Sequence, residues 1–293
     1  MPGTELCQAR SARNGAETRT RYGGVENRLT RKRLPMPLEI PDLRTLLIIC
    51  PLVFLGSFVD AIGGGGGLVT LPAYLMCGLP SHAAIATNKM SSTVGTAFST
   101  GRFIKQGFVD WQLAVPAVIC SLLMSAAGAQ LSLLLPDEVF RVVLIICLPV
   151  VAAISLSKKT LRQETEDLPR GRRTAIMCGV ACVCGLYDGF YGPGTGTFLI
   201  LGFSALAKLG VKDSAGQTKV VNLASNISGF VSFLLAGQTY VVLGAIASIF
   251  SVAGHYLGAG MVVKNGSKIV RPIIICVLVL LFAKVALEAL GIM

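Results

Sequence analysis

The sequence predicts an all-α, polytopic integral membrane protein with about eight transmembrane helices in two homologous halves, whose helices are broken by glycine. Hydrophobic residues make up 53% of the chain and charged residues only 14%, and the mean hydropathy is +0.69, which is too apolar for a soluble domain. A glycine-dense motif beside an aspartate occurs twice. Several other residues recur at a constant spacing of 130 residues.

The glycine-dense motif covers residues 56–68 in its first copy and residues 185–197 in its second. Both copies end an apolar run with an aspartate, Asp60 or Asp188, followed by a glycine turn. Each glycine in a helix costs about 1 kcal/mol relative to alanine, so we expect the backbone to open at five successive glycines. In a bilayer an open backbone is tolerated only beside protein or a watered cavity. The motif therefore predicts the binding site of a membrane transporter.

Apolar runs follow one another from Leu43 onward. The runs long enough to span are residues 43–62, 83–103, 113–135, 139–157, 174–191, 215–236, 240–263 and 269–290. Two shorter runs, residues 68–78 and 195–209, are candidates for re-entrant segments. Residues 220–263 contain no charged side chain, and as one helix they would be about twice as long as the bilayer core is thick, so the chain must turn near Gly237.

The composition divides the chain into four parts. Residues 1–42 form a basic arm that we expect to be disordered and cytoplasmic, residues 43–157 the first membrane repeat, residues 158–173 a cytoplasmic linker, and residues 174–293 the second repeat. A lipid-surface anchor or a translation start at Met36 are alternatives for the arm, and its acidic residues disfavour a transit peptide. Placing every basic loop and the arm in the cytoplasm requires four crossings and then five, which conflicts with equal halves and leaves their relative orientation open.

The repeat extends beyond the glycine motif. At a spacing of 130, the matching residues are Lys89 and Lys219, Gly107 and Gly237, Ser121 and Ser251, Gly128-Ala129 and Gly258-Ala259, and Arg141 and Arg271. The glycine motifs themselves align with a spacing one or two residues shorter. We infer two homologous halves with a pseudo-two-fold site between them.

The chain resembles the TauE/SafE family through a series of motifs in a fixed order. These are Asp60 with its glycine run, Gly78-Leu79-Pro80, residues 86–92 (ATNKMSS), residues 187–196 (YDGFYGPGTG) and residues 218–226 (TKVVNLASN). The resemblance covers the chain from Leu43 to the C-terminus. It implies a multi-pass carrier of the bacterial inner membrane for small anions such as sulfite or organosulfonates.

An oxyanion in a membrane needs positive potential and N–H donors, and a half-helix that begins after a glycine turn offers both. The predicted substrate-binding residues are Lys89, Lys219, Asn88, Ser91, Ser92, Asn222, Asn226, Gly65, Gly67, Gly194, Thr195 and Gly196. A lysine inside a span costs about 2.5 to 3.5 kcal/mol on insertion scales, which suggests a partner for each. Asp60 and Asp188 are the predicted partners in the empty carrier, or the acceptors of a coupling proton.

Each of these residues has a purely structural alternative. The lysines can extend to the headgroups, the serines can hold helices together without touching a substrate, and the two aspartates can cap the half-helices. The only histidines, His82 and His255, are interpreted as interfacial and as a packing residue rather than as a proton relay.

The predicted function is a secondary transporter of small anions, with sulfite or organosulfonate export coupled to an ion gradient. The alternatives are an uptake permease for another small solute and a non-transport membrane assembly subunit. Two dispersed histidines with no nucleophile, cofactor or metal constellation argue against an enzyme, a cofactor and a metal, and the cysteine cluster at residues 178–184 is interpreted as packing. The net charge of +11 lies in the arm and short loops, which disfavours nucleic acid. The expected partners are the anion, the lipid bilayer and a further copy of the chain.

Overall fold

The computed structural model describes residues 41–136 and 164–276, apart from residues 267, 271 and 274. Its named helices are α1 (Leu43–Gly63), α2 (Gly67–Met76), α3 (Ser81–Lys105), α4 (Trp111–Leu134), α5 (Arg170–Phe190), α6 (Thr195–Ala205), α7 (Val211–Leu235) and α8 (Val241–Asn265). The predicted arm up to residue 40, the predicted span 139–157, most of the predicted span 269–290 and the Arg141–Arg271 match lie outside the described residues.

The described helices confirm the prediction of an all-helical membrane protein. Among them α1, α4 and α8 are long and apolar enough to cross a bilayer, with hydropathies of 2.2, 1.8 and 1.7. Helices α3 and α7 have 25 residues each but contain a lysine and many small polar side chains. Eight spans therefore remain a prediction.

The helix ends follow the predicted runs to within about one helical turn. The turn expected near Gly237 is present, because α7 ends at Leu235 and Gly237 has a φ of 70°. The end of the linker is a correction: residues 170–173, expected to lie outside the membrane repeat, form the first turn of α5. Pro169, in an extended conformation, precedes this turn, where a helix needs no earlier hydrogen-bond partner.

Each glycine motif forms the tip of an antiparallel helix hairpin. Between α1 and α2 the chain turns at Gly64 and Gly65, whose φ angles are 75° and 81°. Helix α2 then returns along α1, and a β-carbon added to Gly56 would lie 2.5 Å from the Thr70 methyl group. Between α5 and α6 the Tyr187 hydroxyl donates to the Pro193 carbonyl over 2.7 Å. The predicted opening of the helices at the glycine runs is confirmed.

Helices α3 and α7 cross at the centre and run antiparallel. Near one end Thr100 on α3 donates to the Lys219 carbonyl on α7 over 3.1 Å, and near the other end Gly229 on α7 contacts the Lys89 side chain on α3. The residue number thus rises along one helix as it falls along the other. Both helices begin and end 130 residues apart, since 81 + 130 = 211 and 105 + 130 = 235.

The remaining long helices cross over between the two parts of the chain. Helix α4 packs against α5 and α7, and α8 packs against α1 and α3. Gly128 on α4 contacts the Leu186 carbonyl on α5, and Gly258 on α8 contacts the Phe58 carbonyl on α1 at 2.5 Å from an added β-carbon. These contacts repeat in sequence, because 128 + 130 = 258 and 58 + 128 = 186. Glycine at both positions lets the backbones approach closely.

One end of the bundle is rich in basic residues. At this end, called the basic end, α3 and α8 finish and α4, α5 and α7 begin, and its cations are Arg102, Lys105, Arg170, Arg173, Lys212 and Lys264. Asp110, the N-cap of α4, accepts from Arg170 over 2.8 Å. Partial burial acts to raise the pKa of Asp110, but the bonds from Arg170 and the Gln112 N–H outweigh it, so this pKa is lowered. Helix α1 runs parallel to α8, because Phe54 meets Gly254 and Phe58 meets Gly258, and so begins at the opposite end.

Candidate functional site

Two lysine–aspartate pairs lie inside the bundle where α3 and α7 cross. Lys89 Nζ on α3 is 2.6 Å from Asp188 Oδ2 on α5, and Lys219 Nζ on α7 is 2.9 Å from Asp60 Oδ2 on α1. The lysines are 2% and 0% exposed. Each pair joins a helix from residues 43–134 to a helix from residues 170–265, so the pairing crosses between the two parts of the chain. A buried charge without its partner costs several kcal/mol, which explains why the charges occur together.

Glycines make room for the Lys89–Asp188 pair. Gly229 on α7 lies against the Lys89 stem, so that an added β-carbon would be 3.0 Å from Lys89 Cδ. Gly192, in the turn after α5, has a φ of 103° and would place a β-carbon 3.3 Å from Lys89 Nζ and 3.2 Å from Asp188 Oδ1. A side chain at Gly192 would therefore crowd the ammonium group, and its φ favours glycine as well.

Asp60 holds four helices together. Its Oδ1 accepts from the Gly66 N–H at the start of α2 over 3.2 Å, and its Oδ2 accepts from Lys219. Lys219 also donates to the Asp60 backbone carbonyl over 2.5 Å. His255 Nε2 on α8 is 3.2 Å from the same Oδ2. Asp60 thus makes both contacts that the sequence offered as alternatives, the cap of the half-helix and the lysine pair.

The tips of the two hairpins meet beside these pairs. Gly64 lies against the backbone of Gly196 and Thr197 so closely that no β-carbon fits. The Thr197 hydroxyl donates to the Gly63 carbonyl over 2.7 Å. Gly67 would place a β-carbon 3.0 Å from Pro193 Cα. The starts of α2 and α6, with their N–H groups, consequently face the centre of the bundle.

A polar cavity of about 30 Å³ lies at this meeting point. That volume holds about two water molecules. The predicted site residues that line it are Asp60, Gly67, Asn88, Lys89, Ser92, Asp188, Gly194, Thr195, Gly196, Asn222 and Asn226. The structure therefore brings most of the predicted site into one place.

Three predicted residues do not line the cavity. Lys219 is fully buried and directed at Asp60. Ser91 donates to the Asn88 carbonyl over 3.0 Å and lies 3.4 Å from the Tyr74 hydroxyl, which is a packing role. Gly65 forms the hairpin turn. In this conformation these residues act on the cavity through their neighbours.

Sequence reasoning missed Tyr191 and Gly192, which also line the cavity, and His255, which contacts Asp60. Tyr191 and Gly192 belong to the second glycine motif, so their place in the motif was an available signal. A single histidine in an apolar run carries no such signal. His82 Nε2 is 3.0 Å from the Ser132 carbonyl, away from the site.

Amide groups on the lining present hydrogen-bond donors. The Thr70 hydroxyl donates to Asn88 Oδ1 over 2.6 Å, and Lys89 Nζ donates to Asn226 Oδ1 over 3.4 Å. Both amides use their oxygens within the protein, which leaves their NH₂ groups as donors. Together with Lys89 and the two helix starts, they form a site suited to an anion. Within the described ranges no group of three or more histidine, cysteine or acidic side chains could hold a metal ion.

Helix hairpins that meet inside a bundle, beside buried charges and a polar cavity, define the class of helical membrane transporters with a central site. The chain belongs to the TauE/SafE family: its residues 49–285 match the family described as sulfite exporter TauE/SafE. The predicted resemblance is confirmed, and the protein is a member of a membrane transporter family.

Several curated relatives are similar to most of the chain. A probable membrane transporter protein of Haemophilus influenzae is 32% identical over 245 residues, covering 83% of this chain and 95% of the relative. The probable membrane transporter protein YfcA of Escherichia coli K12 is 31% identical over 238 residues, covering 81% and 88%. The probable membrane transporter protein ORF9 of Sinorhizobium sp. is 30% identical over 224 residues, covering 76% and 85%. No solved structure matches the chain.

Proposed function

We propose that the protein is a secondary transporter of small anions, which exports sulfite or organosulfonates in coupling to an ion gradient. The observation that carries this proposal is the pair of buried lysine–aspartate contacts around a polar cavity between two glycine tips. Charges buried in a membrane protein commonly mark a substrate or ion pathway. The family's description as a sulfite exporter supports the choice of substrate.

Lys89 is the proposed anchor of the anion. Its ammonium group lines the cavity and is held by Asp188, a carboxylate that an incoming oxyanion resembles in charge and geometry. The anion would take over part of this contact. The Asn226 amide and the starts of α2 and α6 at Gly67 and Thr195 would supply further N–H donors. Lys219 would act through Asp60, which it neutralises.

We infer that the chain consists of two homologous halves in inverted orientation. The equal spacing of helix ends and of the Gly128 and Gly258 contacts supports homology. The antiparallel crossing of α3 and α7 supports inversion, because equivalent helices of parallel halves would run in the same direction. The α1–α2 and α5–α6 hairpins would then enter the inner membrane from opposite sides, an arrangement in which each side has its own gate.

The helix directions also support an orientation in the membrane. The positive-inside rule assigns the basic end, with the linker at residues 158–173, to the cytoplasm. Helix α1 begins at the other end of the bundle. We therefore infer that residues 1–42 lie on the outer side, which replaces the cytoplasmic position expected from their charge.

The test is flux through the purified protein in liposomes. Radiolabelled sulfite, methanesulfonate and sulfate would be supplied with and without a pH gradient, and empty liposomes would provide the background. We expect saturable flux of sulfite or methanesulfonate that responds to the gradient and is lost in Lys89→Met. Flux no higher than that of empty liposomes for all three anions would overturn the proposal.

A further inference from the structure

His255 is the one described histidine inside the bundle, and its ring lies between α1 and α3. It is 1% exposed. Its Nδ1 is 3.0 Å from the Ser251 carbonyl, one turn earlier on α8, and its Nε2 is 3.2 Å from Asp60 Oδ2. The Thr96 hydroxyl lies 3.3 Å from Nε2. Both ring nitrogens thus have an oxygen partner.

The identity of these partners decides the protonation of the ring. A carbonyl oxygen only accepts, so Nδ1 must carry a proton. Asp60 is ionised in this arrangement, because its Oδ1 accepts from the Gly66 N–H and its Oδ2 accepts from the Lys219 ammonium. An ionised carboxylate also only accepts, so Nε2 must carry a proton too. His255 is therefore doubly protonated and positively charged.

We propose that His255, held by Asp60, is a proton-binding site that sets the charge of the central anion site. With its proton, the two carboxylates of the site face three cations, Lys89, Lys219 and His255, which leaves one surplus positive charge. Without it, the charges cancel. This inference rests on the proposed function for the role of the proton, since an anion would bind and cross together with it.

The groups that face His255 come from several helices. Asp60 reaches it from α1, and Lys219 on α7 reaches it through Asp60. On α3, Thr96 touches the ring, and Lys89 and Arg102 lie about two turns to either side of Thr96. Arg102 donates to the Tyr256 carbonyl over 2.9 Å and is turned toward the basic end. The carboxylate of Asp60 is the described acid in contact with the ring.

The second lysine–aspartate pair has no equivalent of this histidine. Counting back 130 residues from His255 gives Ser125 on α4. The Ser125 hydroxyl donates to the Ser225 carbonyl over 2.7 Å, which is a helix-packing contact. The proton site is therefore present once per chain, and the two pairs differ in role: Lys89–Asp188 faces the anion, and Asp60–His255 holds the proton.

Nitrogen-15 NMR of histidine-labelled protein tests the proton site without any substrate. The chain has two histidines, so a His82→Gln variant, purified without a histidine tag, gives the signals of His255 alone. We expect both ring nitrogens to carry protons at neutral pH, where a free histidine is mostly neutral. Asp60→Asn should shift the ring to the neutral form, whereas Asp188→Asn should not. A neutral ring in the His82→Gln protein at neutral pH would overturn the proposal.

Transport in liposomes tests the role of the proton. The probe is methanesulfonate, whose own charge does not change in this pH range. The measured quantity is the ratio of uptake under an inward proton gradient to uptake at equal pH. We expect a ratio of about ten or more in the parent protein and in the control Ser125→Ala, and a ratio near one in His255→Gln. A ratio in His255→Gln equal to that of the parent would contradict the coupling role. Absence of any methanesulfonate flux in the parent would count against the proposed function, and the NMR result would still decide the proton site.

Discussion

Lys89 and Lys219 occupy positions where an isolated ammonium group would be strongly unfavourable. Both are buried, and each has a carboxylate within 2.9 Å. Replacing one member of a buried pair leaves the other charge without compensation, which costs about 3 to 5 kcal/mol, whereas replacing both with apolar residues is often tolerated. The pairs therefore bind the two parts of the chain together through charge cancellation.

A double-mutant cycle on the first pair tests this at the residue scale. Lys89→Met and Asp188→Leu should each lower the melting temperature of the detergent-solubilised protein by many degrees, because each leaves one buried charge. The double variant should regain most of the loss. Melting temperatures that fall additively in the double variant would show that the two side chains stabilise the fold independently.

The residues of the pairs could be predicted from sequence, but their pairing could not. A lysine inside an apolar run and an aspartate before a glycine run are visible in one sequence. The partner of each lysine depends on how the helices cross: Lys89 reaches Asp188 on α5 rather than Asp60 on α1 because α4 and α8 exchange between the two parts. His255 was assigned to packing because its partner, Asp60, lies 195 residues away.

At the scale of elements, the glycine hairpins set the geometry of the site. Helix α1 ends and α2 begins beside the backbone of the other hairpin, and Gly64 has no room for a β-carbon there. The open turn was predictable from the glycine run. The contact between the two turns was not, since it depends on the packing of four helices.

Gly64→Ala and Gly107→Ala form a matched comparison. Both glycines have nearly the same left-handed φ, 75° and 74°, but an added β-carbon at Gly107 meets nothing within 4 Å. Gly107→Ala should therefore cost only about 1 to 2 kcal/mol of backbone strain. Gly64→Ala should add a backbone clash with Thr197 and sharply reduce the yield of folded, monodisperse protein in size-exclusion chromatography. Equal yields of the two variants would argue against contact between the hairpin tips.

Helix boundaries were largely predictable at this scale, with one instructive exception. The second short run was expected to reach residue 209, but α6 ends at Ala205. The chain turns at Lys208, which has a φ of 57° although it is not glycine. Apolar residues continue past this turn, so hydropathy alone does not mark it.

For the whole molecule, direction is the property that sequence left open. The parity of crossings depended on the two short runs, which the structure turns back as hairpins. The start of α1 and the basic end then lie at opposite ends of the bundle. This arrangement accounts for the conflict between equal halves and a cytoplasmic position for every basic segment.

Cysteine labelling tests the inferred orientation. In a background without the nine native cysteines, Asp42→Cys should react with a membrane-impermeant maleimide added outside intact cells, and Glu166→Cys should react only after lysis. Glu166 lies in the linker beside the basic end, where its carboxylate is 3.5 Å from Lys208. Labelling of Glu166→Cys from outside, or protection of both sites, would contradict the orientation.

The anion site itself is tested most directly by the affinity for sulfite of Lys89→Met, with Lys219→Met measured beside it. Binding is measured by titration calorimetry, and Lys105→Met, an exposed lysine at the end of the same helix α3, is the control for loss of one positive charge. A lost charge-assisted hydrogen bond is worth about 1.5 to 3 kcal/mol, so Lys89→Met should bind about ten- to a hundredfold more weakly than the parent, with Lys105→Met unchanged. Lys219→Met should also bind more weakly, because Asp60 is then no longer neutralised. Unchanged affinity in both Lys89→Met and Lys219→Met, in protein that remains folded, would contradict an anion site at the meeting point of the two hairpins.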